Sequence, residues 1–455
     1  MMRSMFSGVS GLKAHQAKMD VIGNNVANVN TIGFKAGRVT FQEIFNQTLR
    51  GAGAPDAATA RGGTNPMQIG LGIAVGSIDN QMTGGSPQRT DNPTDLSIQG
   101  DGFFIVKGST ADTFKFTRAG NFGLDKLGNL VSGDGMNVYG WTSYKPQEDG
   151  SVKFDTEAEI TPINLYSDVT NGNKKIIAAK ATGYAEFSGN LNSKFAPVAD
   201  TADAQFSVPF TIYDSLGNPH ELSLNLKKTH AGDDIPAKDA DGKDITVTGT
   251  TWTYTVTDKT GKIPYATAGG ADPIVNFNSE GKIIVGTDAK EQVELTFTPG
   301  ANSGTADVKV KLDFKKMTQY AADCSVKPSN IDGYTTGNLV TFNVGSDGML
   351  TGVYSNGQQQ PLGLIALAGF DNPAGLQKVG GNLFIPTTNS GDFNKGVPAG
   401  SQGVGTLSPG TLEMSNVDLS REFTDMIVTQ RGFQANSRII TTSDEMLQEL
   451  VNLKR

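Results

Sequence analysis

The sequence is poor in the residues that most enzymes use for chemistry. It contains 3 His, 2 Trp and 1 Cys in 455 residues, and charged side chains make up only 18%. A lone cysteine, Cys324, excludes an intrachain disulfide. The sequence has no Gly-Lys-Ser/Thr phosphate loop, no His-Glu-x-x-His pair and no Gly-x-Ser-x-Gly nucleophile turn. It therefore predicts no catalytic residue, no metal site and no cofactor.

Two features weaken the few remaining candidates for chemistry. His15 falls in a helical pattern and is predicted on a helix surface. The acidic stretch 239–244 resembles a calcium loop, but its glycine comes two places early and Lys243 occupies a ligand position. An acidic surface turn is the better interpretation, and an enzyme whose site is assembled from distant segments remains the least favoured hypothesis.

Nucleic acid and membranes are poor partners for this composition. The net charge is −8, and no concentrated Lys/Arg face is visible, so phosphate binding is not expected. The longest apolar run covers residues 362–368, far short of the roughly 20 residues that span a bilayer. The N-terminal residues also lack the apolar core of a cleaved secretion signal, so we expect no membrane insertion and no such signal.

The middle of the chain is instead rich in β signals. It has a large share of the 56 glycines, and apolar residues alternate with polar ones in runs such as Trp252–Val256 and Val308–Leu312. Gly-containing turns separate these runs, for example at 127–129 and 216–219. The sequence predicts a mainly β protein built from antiparallel hairpins.

Both ends of the chain carry a helical pattern with apolar residues seven apart. Such spacing predicts helices that pair as in a coiled coil, although polar residues interrupt the second seam position at Gln16, Gln430, Ser437 and Asp444. One partner helix buries too little apolar surface to offset the entropy of ordering, so the pattern favours polymerisation of many copies. The predicted polymerisation seam contains Met5, Val9, Leu12, Met19, Val26, Leu419, Phe423, Met426, Phe433, Ile440 and Leu447.

Four asparagines follow closely at the end of the first helical pattern, in the stretch NNVANVN. Asparagine is a poor helix-interior residue and accepts turns. We predict that Asn28 and Asn30 end the helix and that Gly33 turns the chain toward the β region. Soft spots near Pro146 and Gly337 predict hinges between domains.

Several motifs resemble those of bacterial flagellar axial proteins, the family of rod and hook subunits. At the N-terminus these are Ser7–Leu12, Asn24–Asn28, Gly33–Lys35 and Arg38–Phe41, and in the first β region they are Asp101–Phe104 and Thr117–Phe122. The ending, Ser415–Leu419 through Gln434–Arg438, is similar to the C-terminal helix of the family. Rod members have a shorter middle, whereas the large insertion after Trp141 and the run Tyr354–Gln358 are similar to the hook branch.

The resemblance implies a mainly β fold with paired terminal helices, followed outward by two or three antiparallel β domains, the outer one inserted in the inner one. The implied divisions are 1–30 with 415–455 as the channel-lining helical layer, 31–70 with 400–414 as a connecting segment, 71–145 with 341–399 as the inner β domain, and 146–340 as the outer one.

The resemblance also implies a function. The subunits form a hollow, curved, flexible tube that transmits torque from rod to filament, lies outside the cell and serves as an export channel. Implied partners are other copies of the chain, a distal rod protein, a hook cap protein, a hook–filament junction protein and the flagellar type III export apparatus. A distal rod subunit is the alternative within this class, and a secreted β-rich adhesin is the alternative from another class.

Overall fold

The computed structural model describes residues 2–55, 62–109, 112–146, 152–168, 172–195, 205–238, 244–258, 265–266, 274–284, 292–297, 306–401 and 403–453. The chain divides into two compact units. We call them the terminal unit (Met1–Lys174, Phe342–Gly352 and Gln360–Arg455) and the inserted unit (Lys175–Thr341 and Val353–Gln359). The middle of the chain therefore forms a unit of its own, flanked in sequence by the terminal unit on both sides.

Two long helices lie at the ends of the chain, as the seven-residue pattern predicts. Helix α1 spans Met2–Ala27 and helix α2 spans Leu419–Asn452, and a short 3-10 helix spans Pro373–Gly375. The Asp418 carboxylate caps α2, because it accepts hydrogen bonds from the amides of Ser420 and Arg421 at 2.9 and 3.3 Å. No helix in the described part of the chain is long and apolar enough to cross a membrane.

Strands make up most of the rest. In chain order they are β1 (Gly37–Glu43), β2 (Asn46–Arg50), β3 (Met67–Gly70), β4 (Ile73–Asn80), β5 (Pro87–Arg89), β6 (Leu96–Gln99), β7 (Phe103–Lys107), β8 (Lys115–Thr117), β9 (Gly123–Leu124), β10 (Leu130–Val131), β11 (Asn137–Trp141), β12 (Tyr144–Pro146), β13 (Val152–Phe154), β14 (Thr161–Pro162), β15 (Ser167–Asp168), β16 (Gly172–Asn173), β17 (Ile176–Ile177), β18 (Tyr184–Asn192), β19 (Phe206–Tyr213), β20 (Pro219–Lys238), β21 (Asp244–Asp258), β22 (Tyr265–Ala266), β23 (Ile274–Asn278), β24 (Ile283–Ile284), β25 (Gln292–Phe297), β26 (Val308–Tyr320), β27 (Lys327–Ile331), β28 (Gly337–Val344), β29 (Met349–Tyr354), β30 (Gln359–Ala368), β31 (Gln377–Gly380), β32 (Leu383–Ile385), β33 (Val397–Pro398), β34 (Thr406–Pro409) and β35 (Thr411–Glu413).

The terminal unit contains one larger sheet and several short pairs. The sheet runs in the order β30-β11-β7-β8-β32-β31, and its buried side chains, including Phe103, Phe116 and Trp141, form a common core. Close to the helices, β1 pairs with β4, and β35 pairs with β5. The strand that leads into α2 is therefore tied by backbone hydrogen bonds to the part of the chain that follows α1.

The inserted unit consists of two five-stranded sheets, ordered β22-β25-β26-β18-β27 and β19-β20-β21-β23-β24. Apolar side chains from both sheets, among them Phe187, Trp252 and Phe314, form one cluster. The two sheets of the inserted unit therefore share one hydrophobic core.

One strand pair departs from the predicted antiparallel pattern. Strands β18 and β26 are parallel, with Tyr184 opposite Lys311 and Asn192 opposite Tyr320. Parallel neighbours need a long connection between them, and here that connection contains the whole second sheet. The hairpin turns around these strands gave no signal for a pairing between segments so far apart in sequence.

Candidate functional site

The helices α1 and α2 pack against each other in antiparallel orientation. The hydroxyl oxygens of Ser4 and Ser443 lie 3.4 Å apart near one end of the pair. Nearer the other end, the Lys18 ammonium donates to the Asp425 carboxylate at 3.2 Å. The two ends of the chain thus form one helical pair, in agreement with the predicted fold class.

Small residues line the contact between the helices. Gly8, Gly11 and Ala14 are buried on α1. A Cβ atom added at Gly11 would lie 2.8 Å from the side-chain amide of Asn436, and one added at Gly8 would lie 3.2 Å from Ile440. The backbones approach closely because these positions have no larger side chain.

The predicted seam residues do not form the centre of this contact. Met5, Leu12, Met19, Val26, Met426, Ile440 and Leu447 are half-buried, whereas Val9, Leu419, Phe423 and Phe433 are exposed. The buried line within one chain therefore differs from the seam predicted for polymerisation, which concerns contacts between copies. The signal that marks it is the run of small residues spaced three apart, Gly8, Gly11 and Ala14.

Many large apolar side chains on the helices are exposed. Phe6 is 68% exposed and Phe423 is 50% exposed. Exposed apolar surface of this extent usually marks an interaction site. We call this set the terminal apolar surface; its residues are Met2, Phe6, Val9, Leu419, Phe423, Ile427, Val428, Phe433, Ile439, Met446, Leu450, Val451 and Leu453.

Polar contacts anchor the other end of the pair. The Asn25 side chain is buried, and its amide donates to the Gly37 carbonyl at 2.9 Å and to the Glu422 carboxylate at 3.2 Å. Burial raises the pKa of Glu422, and the hydrogen bond from Asn25 opposes this effect. One asparagine of the NNVANVN stretch thus joins α1, α2 and the first strand.

His15 lies in the helix contact and not on an exposed helix face, so the predicted location was wrong. It is half-buried, and a Cβ atom added at Gly432 would lie 2.7 Å from its ring. Phe41 meets the same ring edge-on, with the ring centroids 5.8 Å apart. Burial, with a smaller contribution from Lys18, lowers the pKa of His15.

The asparagines predicted to end α1 lie directly after the helix. The helix stops at Ala27, and Asn28 and Asn30 lie in the turn that follows. The Asn28 side chain donates to the Asn24 carbonyl at 2.9 Å, which satisfies an acceptor at the helix end. Gly33 has φ of +68°, a conformation that favours glycine.

The two proposed hinge residues lie within strands. Pro146 ends β12, which pairs with β13. Gly337 begins β28, and a Cβ atom added there would lie 2.6 Å from the Asn356 side chain. The boundaries between the compact units fall at 174/175, 341/342, 352/353 and 359/360.

Among the described residues, no group of three or more His, Cys, Asp or Glu side chains is placed to hold a metal ion. Residues 239–243 of the calcium-like stretch lie outside the described residues. Cys324 is half-buried, and its sulfur accepts a hydrogen bond from the Asn192 amide at 3.3 Å.

Four family models match successive parts of the chain. They are described as flagella basal body rod protein (residues 5–35), flagellar hook protein FlgE/F/G D1 domain (97–172), flagellar basal body protein FlaE D2 domain (188–334) and flagellar basal body rod FlgEFG protein C-terminal (408–453). The first and last models cover most of the helical pair, and the D2 model falls within the inserted unit.

Curated relatives match along the whole chain. The flagellar hook protein FlgE of Treponema pallidum (strain Nichols) is 39% identical over 492 residues, which covers 100% of both chains. The flagellar hook protein FlgE of Borreliella burgdorferi is 40% identical over 482 residues, again with 100% of both chains covered.

A rod-named relative also matches at full length. The flagellar basal-body rod protein FlgG of Bacillus subtilis (strain 168) is 31% identical over 455 residues and covers 100% of both chains. A long middle therefore does not by itself separate hook from rod members, contrary to the expectation from length. On the full-length identities of 39 and 40% to hook proteins, the chain belongs to the flagellar hook protein family.

Proposed function

We propose that this chain is the repeating structural subunit of a bacterial flagellar hook. Copies polymerise into a hollow, flexible, curved tube that transmits torque from the rod to the filament and provides an export channel. The terminal apolar surface is the observation that carries this proposal, in a chain whose full-length relatives include hook proteins.

The physical argument starts from the apolar side chains that the helix pair leaves in water. Each fully buried Val, Leu, Ile, Phe or Met side chain contributes about 1.5–3 kcal/mol relative to the exposed state. Since the terminal apolar surface contains such residues on both helices, neighbouring copies that cover it gain a large driving force for assembly. In the tube, the helices then line the channel and the β units lie outside them.

Bending requires a different kind of contact on the outside. Subunits on the inner and outer side of a curved tube must shorten and lengthen their spacing as it rotates. The inserted unit suits that role, because it closes its own core and does not need a neighbour to bury apolar residues. Its contacts with other copies can then be polar and replaceable, and residues near Pro146 and Gly337 are the proposed hinges.

The same proposal includes the partners and the location. We place the chain in the flagellum and outside the cell, as a structural component without catalytic activity. Its neighbours are other copies of itself, a distal rod protein, a hook cap protein and a hook–filament junction protein, and a flagellar type III apparatus exports it. The roles of the segments follow the predicted ranges, in which 1–30 and 415–455 form the helical layer that polymerises.

Substitutions on the terminal apolar surface test the proposal. We expect the double variant Phe423→Ser, Phe433→Ser to stay monomeric under conditions in which the parent polymerises, because two large apolar contacts between copies are lost. The matched control is Leu127→Ser, since Leu127 is 69% exposed on a β turn outside the helices. Sedimentation and electron microscopy give the readout.

Polymerisation of the double variant at the parent's yield would contradict the proposal, as would equal losses in the double variant and the control. Deletion of residues 1–30 extends the test: we expect a monomer with folded β units. Tubes formed by that truncated chain would show that the helices do not drive assembly.

A distal rod subunit is the second candidate, and the full-length match to a rod-named relative favours it. The shape of the polymer separates the two candidates. Curved, bendable tubes support the hook subunit, whereas straight, rigid rods support the rod subunit.

A further inference from the structure

Glu413 is a buried acid that accepts hydrogen bonds from three separate segments. Its carboxylate accepts from the Lys35 ammonium at 2.6 Å, from the Gly85 amide at 2.9 Å and from the Arg118 guanidinium at 3.3 Å. The side chains of Lys35, Arg118 and Glu413 are only 1–3% exposed. One carboxylate thus gathers partners that lie far apart in the sequence.

These segments lead directly to the helices and to the sheet. Lys35 follows the end of α1, and Glu413 ends β35, just before the Asp418 cap of α2. Arg118 follows β8 of the larger sheet in the terminal unit. Glu413 therefore lies at the point where the exit of one helix, the entry to the other and the sheet meet.

The backbone around Glu413 reinforces this arrangement. The Gly33 amide donates to the Glu413 carbonyl at 2.8 Å. A Cβ atom added at Gly33 would lie 2.7 Å from the Ala119 amide nitrogen, so the chain after α1 packs directly on the backbone beside Arg118. The Lys35 ammonium also donates to the Thr83 carbonyl at 2.8 Å.

The charges of this cluster are better suited to specify a geometry than to stabilise the fold. Burial lowers the pKa of Lys35, and the opposing attraction of Glu413 is the smaller effect. Arg118 lowers the pKa of Lys35 further, and Asp101 raises it. Buried ion pairs often contribute little net stability, but removing one partner leaves an uncompensated charge that disfavours the arrangement strongly.

We infer that Glu413 is the positioning residue that fixes the α1–α2 pair to the sheet of the terminal unit. Its carboxylate holds the segment after α1, the loop at Gly85 and the end of β8 in one arrangement. The C-terminal end of α1, the N-terminal end of α2 and this sheet then move as one rigid body, and any bending takes place elsewhere in the chain. This inference concerns the single chain and does not depend on polymerisation.

Amide hydrogen exchange of the full chain as a monomer tests it. We expect the Gly33 and Gly85 amides to be protected in the parent and to exchange at least about tenfold faster in Glu413→Gln, which keeps the shape but removes the charge. The Leu224 amide, in the inserted unit, should not change. The matched control is Glu157→Gln. Glu157 lies in the terminal unit, as Glu413 does, and forms an exposed ion pair with Lys395 at 3.4 Å.

A second variant makes the test specific to the carboxylate. Lys35→Met removes one donor but leaves Glu413 bonded to Arg118 and Gly85, so we expect a smaller increase in exchange than in Glu413→Gln. Any one of four results would overturn the inference: unprotected Gly33 and Gly85 amides in the parent, equal exchange in Glu413→Gln and the control, an equally fast increase at Leu224, or a larger effect of Lys35→Met.

Discussion

The helix pair and the inserted unit treat their largest apolar side chains in opposite ways. In the inserted unit, Trp252 and Phe314 are fully buried between two sheets. In the helix pair, glycine and alanine occupy the contact, while Phe6 and Phe423 are exposed. The difference teaches that one region completes its core within a single chain, whereas the other leaves several of its largest apolar side chains exposed.

Removing a large core side chain tests the self-sufficiency of the inserted unit and has the largest expected effect. Phe314→Ala should lower the free energy of unfolding of that unit by about 3–5 kcal/mol, because Phe314 is completely buried against Phe187 and Tyr254. Phe423→Ala should change the stability of the monomer by no more than about 0.5 kcal/mol.

The two tryptophans allow these effects to be separated. Trp141 lies in the terminal unit and Trp252 in the inserted unit, so fluorescence in a Trp141→Phe background reports on the inserted unit alone. Urea unfolding followed by this signal measures the Phe314 effect, and circular dichroism of the helices measures the Phe423 effect. Similar losses of unfolding free energy in Phe314→Ala and Phe423→Ala would contradict the difference between the two regions.

Two glycines of α1 test whether the close approach of the helices requires a small residue. Gly11→Ala places a methyl group 2.8 Å from the Asn436 amide, whereas a Cβ atom at Gly23 has nothing within 4 Å. Alanine favours a helix over glycine by about 1 kcal/mol at either site. We therefore expect Gly23→Ala to stabilise the helix pair. The free energy of unfolding of Gly11→Ala should be about 1–3 kcal/mol lower than that of Gly23→Ala.

Thermal melts of the two variants, followed by helical circular dichroism, measure this difference. Because both substitutions are made in the same helix, the helix preference cancels between them. Equal melting temperatures would show that the close approach at Gly11 is not needed for the pair.

Lowering the pH has the smallest of these expected effects. It should destabilise the helix pair through protonation of His15. Burial lowers the pKa of His15 below 6.5, so the unfolded chain binds the proton more readily. The stability that the neutral imidazole contributes is complete above about pH 6.5, and it is lost as the pH falls through the lowered pKa. Glu422 acts in the opposite direction, because its pKa is raised and its protonation favours the folded pair.

The contribution of His15 is isolated by comparing the parent with His15→Gln. Helix melts at pH 7.5 and 5.5 should show a decrease for the parent that is smaller for the variant, while the Glu422 contribution is common to both. An identical pH dependence in the two proteins would contradict this assignment.

Local patterns in the sequence were enough to predict the elements and several turns. Seven-residue spacing indicated both terminal helices, and the Leu-Gly-Asn turns have the left-handed glycines that such hairpins need, with φ of +89° at Gly128 and +86° at Gly217. Helix α1 ends at Ala27, directly before Asn28, one of the two asparagines predicted to end it. Each of these features depends on neighbours within a few residues.

Contacts between residues far apart in the sequence could not be predicted from local patterns, for a physical reason. A strand pattern shows which face is buried but not which strand lies beside it, so the parallel pairing of β18 and β26 gave no signal. No local pattern marks Lys35 and Arg118 as buried partners of Glu413, because the fold brings them together from distant segments. The small-residue line on α1 was visible in the sequence, but a search for large apolar residues passed over it.

The position of Glu413 in the chain also sets an order of folding. Its hydrogen-bond partner Lys35 is 378 residues away, so the terminal unit stays open until nearly all of the chain is available. Closing so long a loop is entropically expensive and slow unless something shortens it. The inserted unit can complete its core first, because its core residues lie between Ala185 and Val326, and it can bring the two distant segments closer together. The contact between the two ends of the chain is thus the last to close.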